Sequence, residues 1–284
     1  MMIKRSKIMF SRLIPAVLLA VLHLSSAPRS VKWVAIGDSI TYLNDHLDET
    51  GNRVSKGYMT RVVEQLPGIT CVNKGYNGWT SVDIAGKIDE LGLEKADVYT
   101  VLLGTNDWWR GLPPGAMTDY AGNTGNKTIY GAFRIIINKL KELNPHARII
   151  LMTPLQRGDF VYIDNYENNA YGSYREKNGL YLADIAEIIQ TIARHEKLTV
   201  IDLYRKSGIT PENTVKFKRL KDAATGSYRN FPYPQYVDRA FDPKHDEYPY
   251  PAEAINMTYD GLHPSDRGNA VIAKMLVKEL KKIK

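Results

Sequence analysis

Two short segments at opposite ends of the chain contain the residue types that turn a neutral hydroxyl into a nucleophile. The segment 37–40 (GDSI) presents Ser39 directly after an apolar run, and the segment 260–264 (DGLHP) presents His263 three residues after Asp260. In a catalytic triad, a histidine removes the proton of a serine hydroxyl and an aspartate orients the histidine. We therefore predict a reaction at a carbonyl carbon, with Ser39 as nucleophile, His263 as general base and Asp260 as the orienting carboxylate.

A second pair with the same spacing, Asp242 and His245, competes for the roles of carboxylate and base. It lies in a stretch rich in proline and tyrosine, where polar residues are typical of a surface loop. The pair Asp260 and His263 instead directly precedes a helical pattern that begins after Ser265, a residue suited to be its N-cap. We therefore predict that the later pair forms the site and that the earlier pair is surface structure.

Attack on a carbonyl also requires hydrogen-bond donors for the negative charge that develops on its oxygen. Gly78, in the segment 77–80 (NGWT), can present a backbone N–H, and Asn106, in the segment 104–107 (GTND), can present its side-chain amide. Each residue also has a simpler interpretation, as a turn glycine and as an asparagine that caps a strand end. Only their combination with the serine and the histidine favours the catalytic interpretation.

Short apolar runs alternate with helical patterns from residue 31 to the end of the chain. The near-continuous apolar character of the runs is typical of parallel strands that are covered on both faces. The predicted strands are 31–36, 69–73, 96–103, 148–153 and 198–203. Between them, apolar residues recur at helical spacing, as at Ile129, Phe133 and Ile136. The alternation predicts an α/β fold, with a central parallel sheet of about five strands between two layers of helices.

In such a sheet, functional groups collect at the carboxyl ends of the strands. Ser39 follows the first predicted strand, Gly78 the second and Asn106 the third, while Asp260 and His263 follow the fifth. We therefore expect these residues, which come from both ends of the chain, to meet at one edge of the sheet.

The first 27 residues have the layout of a secretory signal peptide. A basic start is followed by the apolar run 13–24 and by the small residues 25–27, which suit cleavage. A membrane anchor is the alternative, but the apolar run is shorter than the roughly 20 residues that span a bilayer. We predict that the segment is removed on export to the periplasm or the extracellular space, without stable membrane insertion afterwards. Residues 28–284 are then expected to form a single domain.

The net charge argues against a nucleic-acid partner. The whole chain carries +7 at neutral pH, but four basic and no acidic residues lie in the first 27 positions, which leaves +3 for the remainder. The basic residues also do not form a stripe interleaved with aromatic residues, as they do in many proteins that bind nucleic acid. We expect a small-molecule or glycan ester as the partner instead.

In combination, the four segments resemble the sequence blocks of the SGNH, or GDSL-type, serine hydrolases, a family of esterases and lipases. The matching residues are Ser39 in GDSI, Gly78 in NGWT, Asn106 in GTND and His263 in DGLHP, in the order of the family. The resemblance implies a flavodoxin-like three-layer fold, a triad of Ser39, His263 and Asp260, and no metal or organic cofactor. It also implies an oxyanion hole formed by the N–H groups of Ser39 and Gly78 with the Asn106 side chain.

The segment 205–258 is long for a connection in a compact domain and is rich in tyrosine and proline. Long loops of this kind are often functional. Aromatic residues at the edge of a site can stack on sugar rings while polar neighbours bond to hydroxyl groups. We therefore predict that the protein deacylates, and specifically deacetylates, an extracellular carbohydrate, with Trp108, Trp109 and Tyr236 in contact with the substrate.

Three alternatives remain open at this point. The aromatic residues can pack the loops themselves instead of binding a substrate. The enzyme can also be a lipid or thioester hydrolase of the same family, for which a deep apolar tunnel beside Ser39 is expected. Finally, the chain can be a carbohydrate-binding protein that keeps the fold without turnover, although the complete set of catalytic residue types argues against it.

Overall fold

The computed structural model describes residues 30–167 and 170–283, and a five-stranded parallel sheet lies at their centre. The predicted signal peptide, residues 1–27, is outside the described residues. In chain order, the strands of the sheet are β1 (Val31–Gly37), β2 (Ile69–Gly75), β3 (Val98–Leu102), β4 (Arg148–Met152) and β5 (Thr199–Ile201). Their order in the sheet is β2-β1-β3-β4-β5, with every neighbouring pair parallel. All five predicted strands are present, with ends that differ from the expectation by at most two residues.

The residues of β1 show why both faces of the sheet are covered. Val34 and Ile36 belong to one buried apolar cluster, whereas Trp33 and Ala35 belong to another. Successive side chains of a strand point to opposite faces, so the two clusters are the two cores of a three-layer sandwich. The predicted α/β sandwich with a central parallel sheet is confirmed.

Helices cover both faces of the sheet. Residues of α3, α6 and α7 lie in the cluster of Val34, and residues of α2 and α9 lie in the cluster of Trp33. The helices are α1 (Ser39–Tyr42), α2 (Tyr58–Gln65), α3 (Ser81–Gly86), α4 (Thr105–Trp109), α5 (Met117–Ala121), α6 (Ile129–Leu143), α7 (Leu182–Glu196), α8 (Leu203–Lys206) and α9 (Asp266–Leu280). Short 3-10 turns lie at Leu47–Thr50 and Ala252–Ala254.

The last helix begins where the sequence predicts it. The Ser265 hydroxyl accepts hydrogen bonds from the N–H groups of Arg267 and Gly268, as an N-cap residue does. The side chains of Ile272 and Leu276 are fully buried on the sheet side of α9. Because α9 is fixed at its start and along its apolar face, the residues directly before it have a defined place at the edge of the sheet.

The segment 205–258 forms a small substructure with its own apolar cluster. It contains an antiparallel hairpin of β6 (Lys218–Lys221) and β7 (Tyr228–Phe231). The cluster also includes Val161, and its other buried members are Val215, Leu220, Phe231, Tyr236, Tyr250 and Ala254. The Tyr248 hydroxyl donates to the Val161 carbonyl over 3.0 Å, and the buried Lys218 lies 3.2 Å from the Asp159 carboxylate. The substructure is thereby attached to the loop 157–161, which borders the site described next.

Candidate active site

Ser39, His263 and Asp260 form a continuous chain of hydrogen bonds at the carboxyl edge of the sheet. The His263 Nε2 atom lies 2.8 Å from the Ser39 Oγ atom, and the His263 Nδ1 atom lies 2.6 Å from an Asp260 carboxylate oxygen. Asp260 and His263 are buried, while Ser39 is half-buried at the wall of a cavity. With its Nδ1 proton on the carboxylate side, the imidazole can accept the serine proton at Nε2, as a general base must.

The turn before α9 holds Asp260 and His263 in place. The second carboxylate oxygen of Asp260 accepts the N–H groups of Leu262 and His263, at 2.9 and 2.7 Å. Gly261, which follows Asp260, has a φ of 91°, and a Cβ atom there would lie 1.7 Å from the Asp159 carbonyl oxygen. Glycine is therefore required at this position, both for its backbone conformation and for the close approach of the loop 157–161.

Ser39 is placed by the turn from β1 into α1. The Asp38 carboxylate accepts the Ile40 N–H over 3.0 Å and caps the short helix that starts with the serine. Burial raises the pKa of Asp38 to about 6, an effect that the Ile40 N–H and the nearby His263 only partly offset. β1 lies between β2 and β3, so Ser39 is at the topological switch point where open α/β sheets bind ligands.

Asp242 and His245 have the same local geometry as the triad pair but lie elsewhere. The His245 Nδ1 atom is 2.7 Å from the Asp242 carboxylate, and both residues are exposed. They lie outside the cavity that Ser39 and His263 line. Spacing alone therefore does not distinguish the two pairs, whereas the tertiary structure brings only His263 to the serine.

Gly78 and Asn106 line the same cavity as Ser39. One N–H of the Asn106 side chain donates to the Trp79 carbonyl over 2.9 Å, and a primary amide has a second N–H for a ligand. Gly78 has a φ of 71° in the turn after β2. The alternative glycine, Gly75, ends β2 and packs against the backbone of α1. The structure thus brings Gly78 and Asn106 to the cavity that Ser39 lines and leaves Gly75 outside it, while their role as oxyanion donors stays a prediction.

The turn that carries Gly78 is anchored by Arg110. The Arg110 guanidinium donates to the Gly78 carbonyl over 2.6 Å and to the Asp83 carboxylate over 3.0 Å. Asp83 in turn accepts the Thr80 N–H and hydroxyl at the start of α3. These contacts and the Asn106 bond to Trp79 restrict the turn from several sides, which preorganises its N–H groups.

The cavity beside Ser39 has a volume of about 430 Å³. This is within the range of about 300–1,000 Å³ that is usual for small-molecule sites. Its apolar lining comes from residues such as Trp109, Phe160 and Leu262, and its polar lining includes Asn77 and Arg157. The lining is therefore a mixture of aromatic faces and hydrogen-bonding groups, and not a deep apolar tunnel.

The structure corrects two of the three predicted substrate contacts. Trp109 lines the cavity as expected. Trp108 is buried in the core, where its indole N–H donates to the Leu180 carbonyl over 3.0 Å, so its prediction as a substrate contact is wrong. Tyr236 is also fully buried, in the apolar cluster of the segment 205–258, and its prediction is wrong for the same reason. For Tyr236 and several neighbouring tyrosines, the alternative of packing within the loops is correct.

Arg157 and Tyr259 line the cavity without having been predicted as site residues. Tyr259 stacks on the His263 imidazole with 5.9 Å between ring centres, and Phe160 meets the same ring edge-on at 5.3 Å. Tyr259 directly precedes the DGLHP segment, which is a signal that was available in the sequence. Arg157 lies in the loop that follows β4. Its place after a strand end is the only sequence signal that could have pointed to it.

Within residues 30–167 and 170–283, no group of three or more His, Cys, Asp or Glu side chains is arranged to hold a metal ion. No helix in these ranges is both long enough and apolar enough to cross a membrane.

Comparisons with known proteins agree with this fold. A model of the GDSL-like lipase/acylhydrolase family matches residues 35–271. The crystal structure of a possible lipase from Chitinophaga pinensis is 58% identical, covers 89% of this chain and 98% of its own, and superposes with a TM-score of 0.88. An acetyl xylan esterase, AlAXEase, is 20% identical over 88% of this chain and 100% of its own, with a TM-score of 0.53, and shares the fold. None of the curated proteins that were compared matches the chain.

The family match extends over most of the chain and includes Ser39, Gly78, Asn106 and His263, the residues that the fold brings to one cavity. A relative of 58% identity superposes over nearly its whole length. The chain belongs to the GDSL-like lipase/acylhydrolase family, and it is a hydrolase of ester bonds.

Proposed function

We propose that the protein is a serine esterase that removes acetyl groups from an extracellular carbohydrate. The observation that carries the proposal is the hydrogen-bonded chain from Ser39 through His263 to Asp260 at the wall of the cavity. A serine in such a chain loses its proton to the imidazole as it attacks an ester carbonyl.

In the proposed mechanism, the Ser39 oxygen bonds to the carbonyl carbon while His263 takes the hydroxyl proton. The carbonyl oxygen becomes negatively charged and is stabilised by the N–H groups of Ser39 and Gly78 and by the Asn106 amide. The bond to the alcohol oxygen then breaks, His263 protonates the leaving alcohol, and an acyl group remains on Ser39. Water, deprotonated by His263, attacks this acyl-enzyme and releases the carboxylic acid and free Ser39.

The character of the cavity supports a small acyl group and a polar alcohol. Aromatic side chains such as Trp109 and Tyr162 offer faces for a sugar ring, and Asn77, Glu49 and Arg110 offer hydrogen bonds to hydroxyl groups. The Trp109 ring also has the Lys177 ammonium 4.6 Å from its centre, which leaves this part of the wall partly polar. A long acyl chain would instead require a continuous apolar surface.

A lipid hydrolase is the second candidate, because the 58% identical protein from Chitinophaga pinensis is described as a possible lipase. The distinguishing experiment is a series of initial rates on p-nitrophenyl esters from acetate to decanoate, with Ser39→Ala as the blank. The acetylesterase proposal predicts the highest rate on acetate and its loss in the variant. A maximum at long chains would favour the lipid hydrolase, and equal rates in the wild type and Ser39→Ala would refute the role of Ser39.

The extracellular or periplasmic location belongs to the same proposal and rests on the layout of residues 1–27. We expect expression of the full chain in a bacterial host to give exported protein that lacks this segment. Mass spectrometry of the N-terminus in the periplasmic and cytoplasmic fractions tests this. An intact N-terminus retained in the cytoplasm would contradict it.

A further inference from the structure

Arg157 places a buried positive charge in the wall of the active-site cavity. It follows β4, is 2% exposed, and lines the same cavity as Ser39 and His263. Its loop lies against the triad, because the Gly158 N–H donates to the Gly261 carbonyl over 2.8 Å. A charged side chain with so little exposure is usually paired, so its partners decide what it does.

Among the described residues, no carboxylate makes an ion-pair contact with the guanidinium of Arg157, although Asp260 and Asp159 are close enough to favour its charged form. Its Nη2 atom is buried and has no hydrogen-bond partner among the described residues, and its Nε atom makes one long bond of 3.4 Å to the Gly158 carbonyl.

The carboxylates near Arg157 accept hydrogen bonds from other groups. Asp159 accepts from Gly172, Tyr174 and Lys218, and Asp260 accepts from Leu262 and His263. An unpaired buried donor of this kind destabilises the ligand-free protein and is satisfied when a ligand supplies an acceptor.

Aromatic rings support the charge of Arg157 without using its hydrogen-bond donors. The guanidinium carbon lies 5.7 Å from the ring centre of Trp108, 5.6 Å from that of Trp109 and 5.8 Å from that of Phe160. Burial lowers the pKa of Arg157 to about 10, which still leaves it protonated at neutral pH. The planar fork is therefore held between rings and stays charged, which favours an anionic acceptor over a neutral one.

We propose that Arg157 binds a carboxylate of the substrate, so that the natural ester carries a negative charge close to the ester bond. A carboxylate fits the two-pronged guanidinium, and Arg157 is among the residues that line the cavity. The inference rests on the proposed ester hydrolysis at Ser39 and adds the chemical class of the substrate. The carboxylate has two sources, an acidic sugar that carries the acetyl group or the acyl part of a half-ester of a dicarboxylic acid.

The other charges at the cavity leave this role to Arg157. Glu49 accepts from the Tyr42 hydroxyl over 2.8 Å, and Arg110 is bound to Gly78 and Asp83. The charge of Asp260 is directed at the imidazole of His263. Of the two guanidinium groups that line the cavity, only that of Arg157 has a buried nitrogen without a partner among the described residues.

The test compares esters that differ only in the charge of one group. One arm uses a methyl glucuronide with an acetyl group on a ring hydroxyl, against its neutral carboxamide. The other arm uses ethyl hydrogen succinate against ethyl succinamate. In the arm that corresponds to the natural source, we expect kcat/KM to be roughly ten- to a hundred-fold higher for the acid, the range for a hydrogen bond to a charged group.

Arg157→Met should remove this preference, and Arg157→Lys, which keeps the charge without the fork, should keep only part of it. Arg175→Met is the matched control, since Arg175 also lies against aromatic rings, those of Tyr171 and Tyr174, but outside the cavity. It should keep the full preference. The ratio of acid to amide is the readout, because a merely structural loss would lower both rates together.

Equal kcat/KM values for acid and amide in both arms of the wild type would overturn the inference, and so would a preference that survives in Arg157→Met. Hydrolysis of p-nitrophenyl acetate by the same preparations reports separately on the proposed esterase activity. If no ester is turned over, dissociation constants of the four compounds for Ser39→Ala, measured by calorimetry, give the same comparison without catalysis. The subsite is supported if an acid binds Ser39→Ala more tightly than its amide does and this difference disappears when Arg157→Met is added. Equal binding of acid and amide refutes it.

Discussion

Replacing Asp260 by Asn should change which ring nitrogen of His263 carries the proton, while the turn that holds Asp260 and His263 is kept. One oxygen of Asp260 accepts the N–H groups of Leu262 and His263, at 2.9 and 2.7 Å, and the amide oxygen of Asn can take over both bonds. The other oxygen, 2.6 Å from His263 Nδ1, would become an NH2 group. The imidazole must then accept at Nδ1 and carry its proton at Nε2, where it faces Ser39 and can no longer act as a base.

The expected size of this effect is a loss of about 10⁴-fold in kcat, as for the equivalent substitution in a serine protease of another fold. At 1.36 kcal/mol for each factor of ten, this is about 5 kcal/mol of activation free energy. The assay is the steady-state hydrolysis of p-nitrophenyl acetate, with thermal unfolding measured on the same samples. Because the two backbone bonds are retained, we expect the folded structure to persist while turnover is lost.

Asp242→Asn is the matched control, because Asp242 has the same spacing and the same carboxylate–imidazole contact, at 2.7 Å to His245. Its pair is exposed and lies outside the cavity, so wild-type turnover is expected. Full activity of Asp260→Asn, or an equal loss in Asp242→Asn, would refute the assignment of Asp260 as the carboxylate that orients His263.

Three further predictions concern the oxyanion hole, the turn before Ser39 and the tryptophan pair of α4. Asn106→Ala should lower kcat on p-nitrophenyl acetate by roughly 10²- to 10³-fold, the range for one lost oxyanion donor, and unchanged turnover would refute this donor. Because the pKa of Asp38 is raised from 3.8 to about 6, the folded protein holds that proton more tightly, and stability falls as pH rises through this window. Urea unfolding at pH 4 and pH 7 should therefore show Asp38→Asn gaining about 2 kcal/mol relative to the wild type over that range, and a constant difference would contradict it. Trp108→Ala should lower the free energy of unfolding by about 3–5 kcal/mol, whereas Trp109→Ala should mainly raise KM, and the reverse result would contradict their placement.

The sequence was sufficient to predict the sheet and the candidate catalytic residues because both are encoded locally. Buried parallel strands are continuous apolar runs, and all five predicted runs form strands of the sheet. Each site residue follows a strand or precedes a helix, so the common edge of a parallel sheet predicts their meeting without knowledge of any side-chain contact. The arrangement of Ser39 and His263 in space agrees with this expectation.

The lining of the cavity could not be predicted in the same way. Trp108 and Trp109 are adjacent in α4, and the rotation of about 100° per residue along a helix sends one into the core and the other into the cavity. The rotation of such a short helix is set by tertiary packing and not by a periodic pattern. Likewise, Tyr236 is buried because the segment 205–258 forms its own apolar cluster. No periodic pattern in the sequence of this segment predicts that cluster.

The sequence by itself therefore determined the fold class, the reaction type and the candidate residues of the triad, with two competing Asp–His pairs, because strand periodicity and motif spacing are short-range properties. Only the tertiary structure decided between His263 and His245, which have equivalent local geometry, and between the aromatic residues that line the cavity and those that pack elsewhere. It alone also placed the Arg157 guanidinium, whose Nη2 atom has no partner among the described residues, in the wall of the cavity that Ser39 lines. These outcomes depend on contacts between segments far apart in the chain, which no local pattern contains.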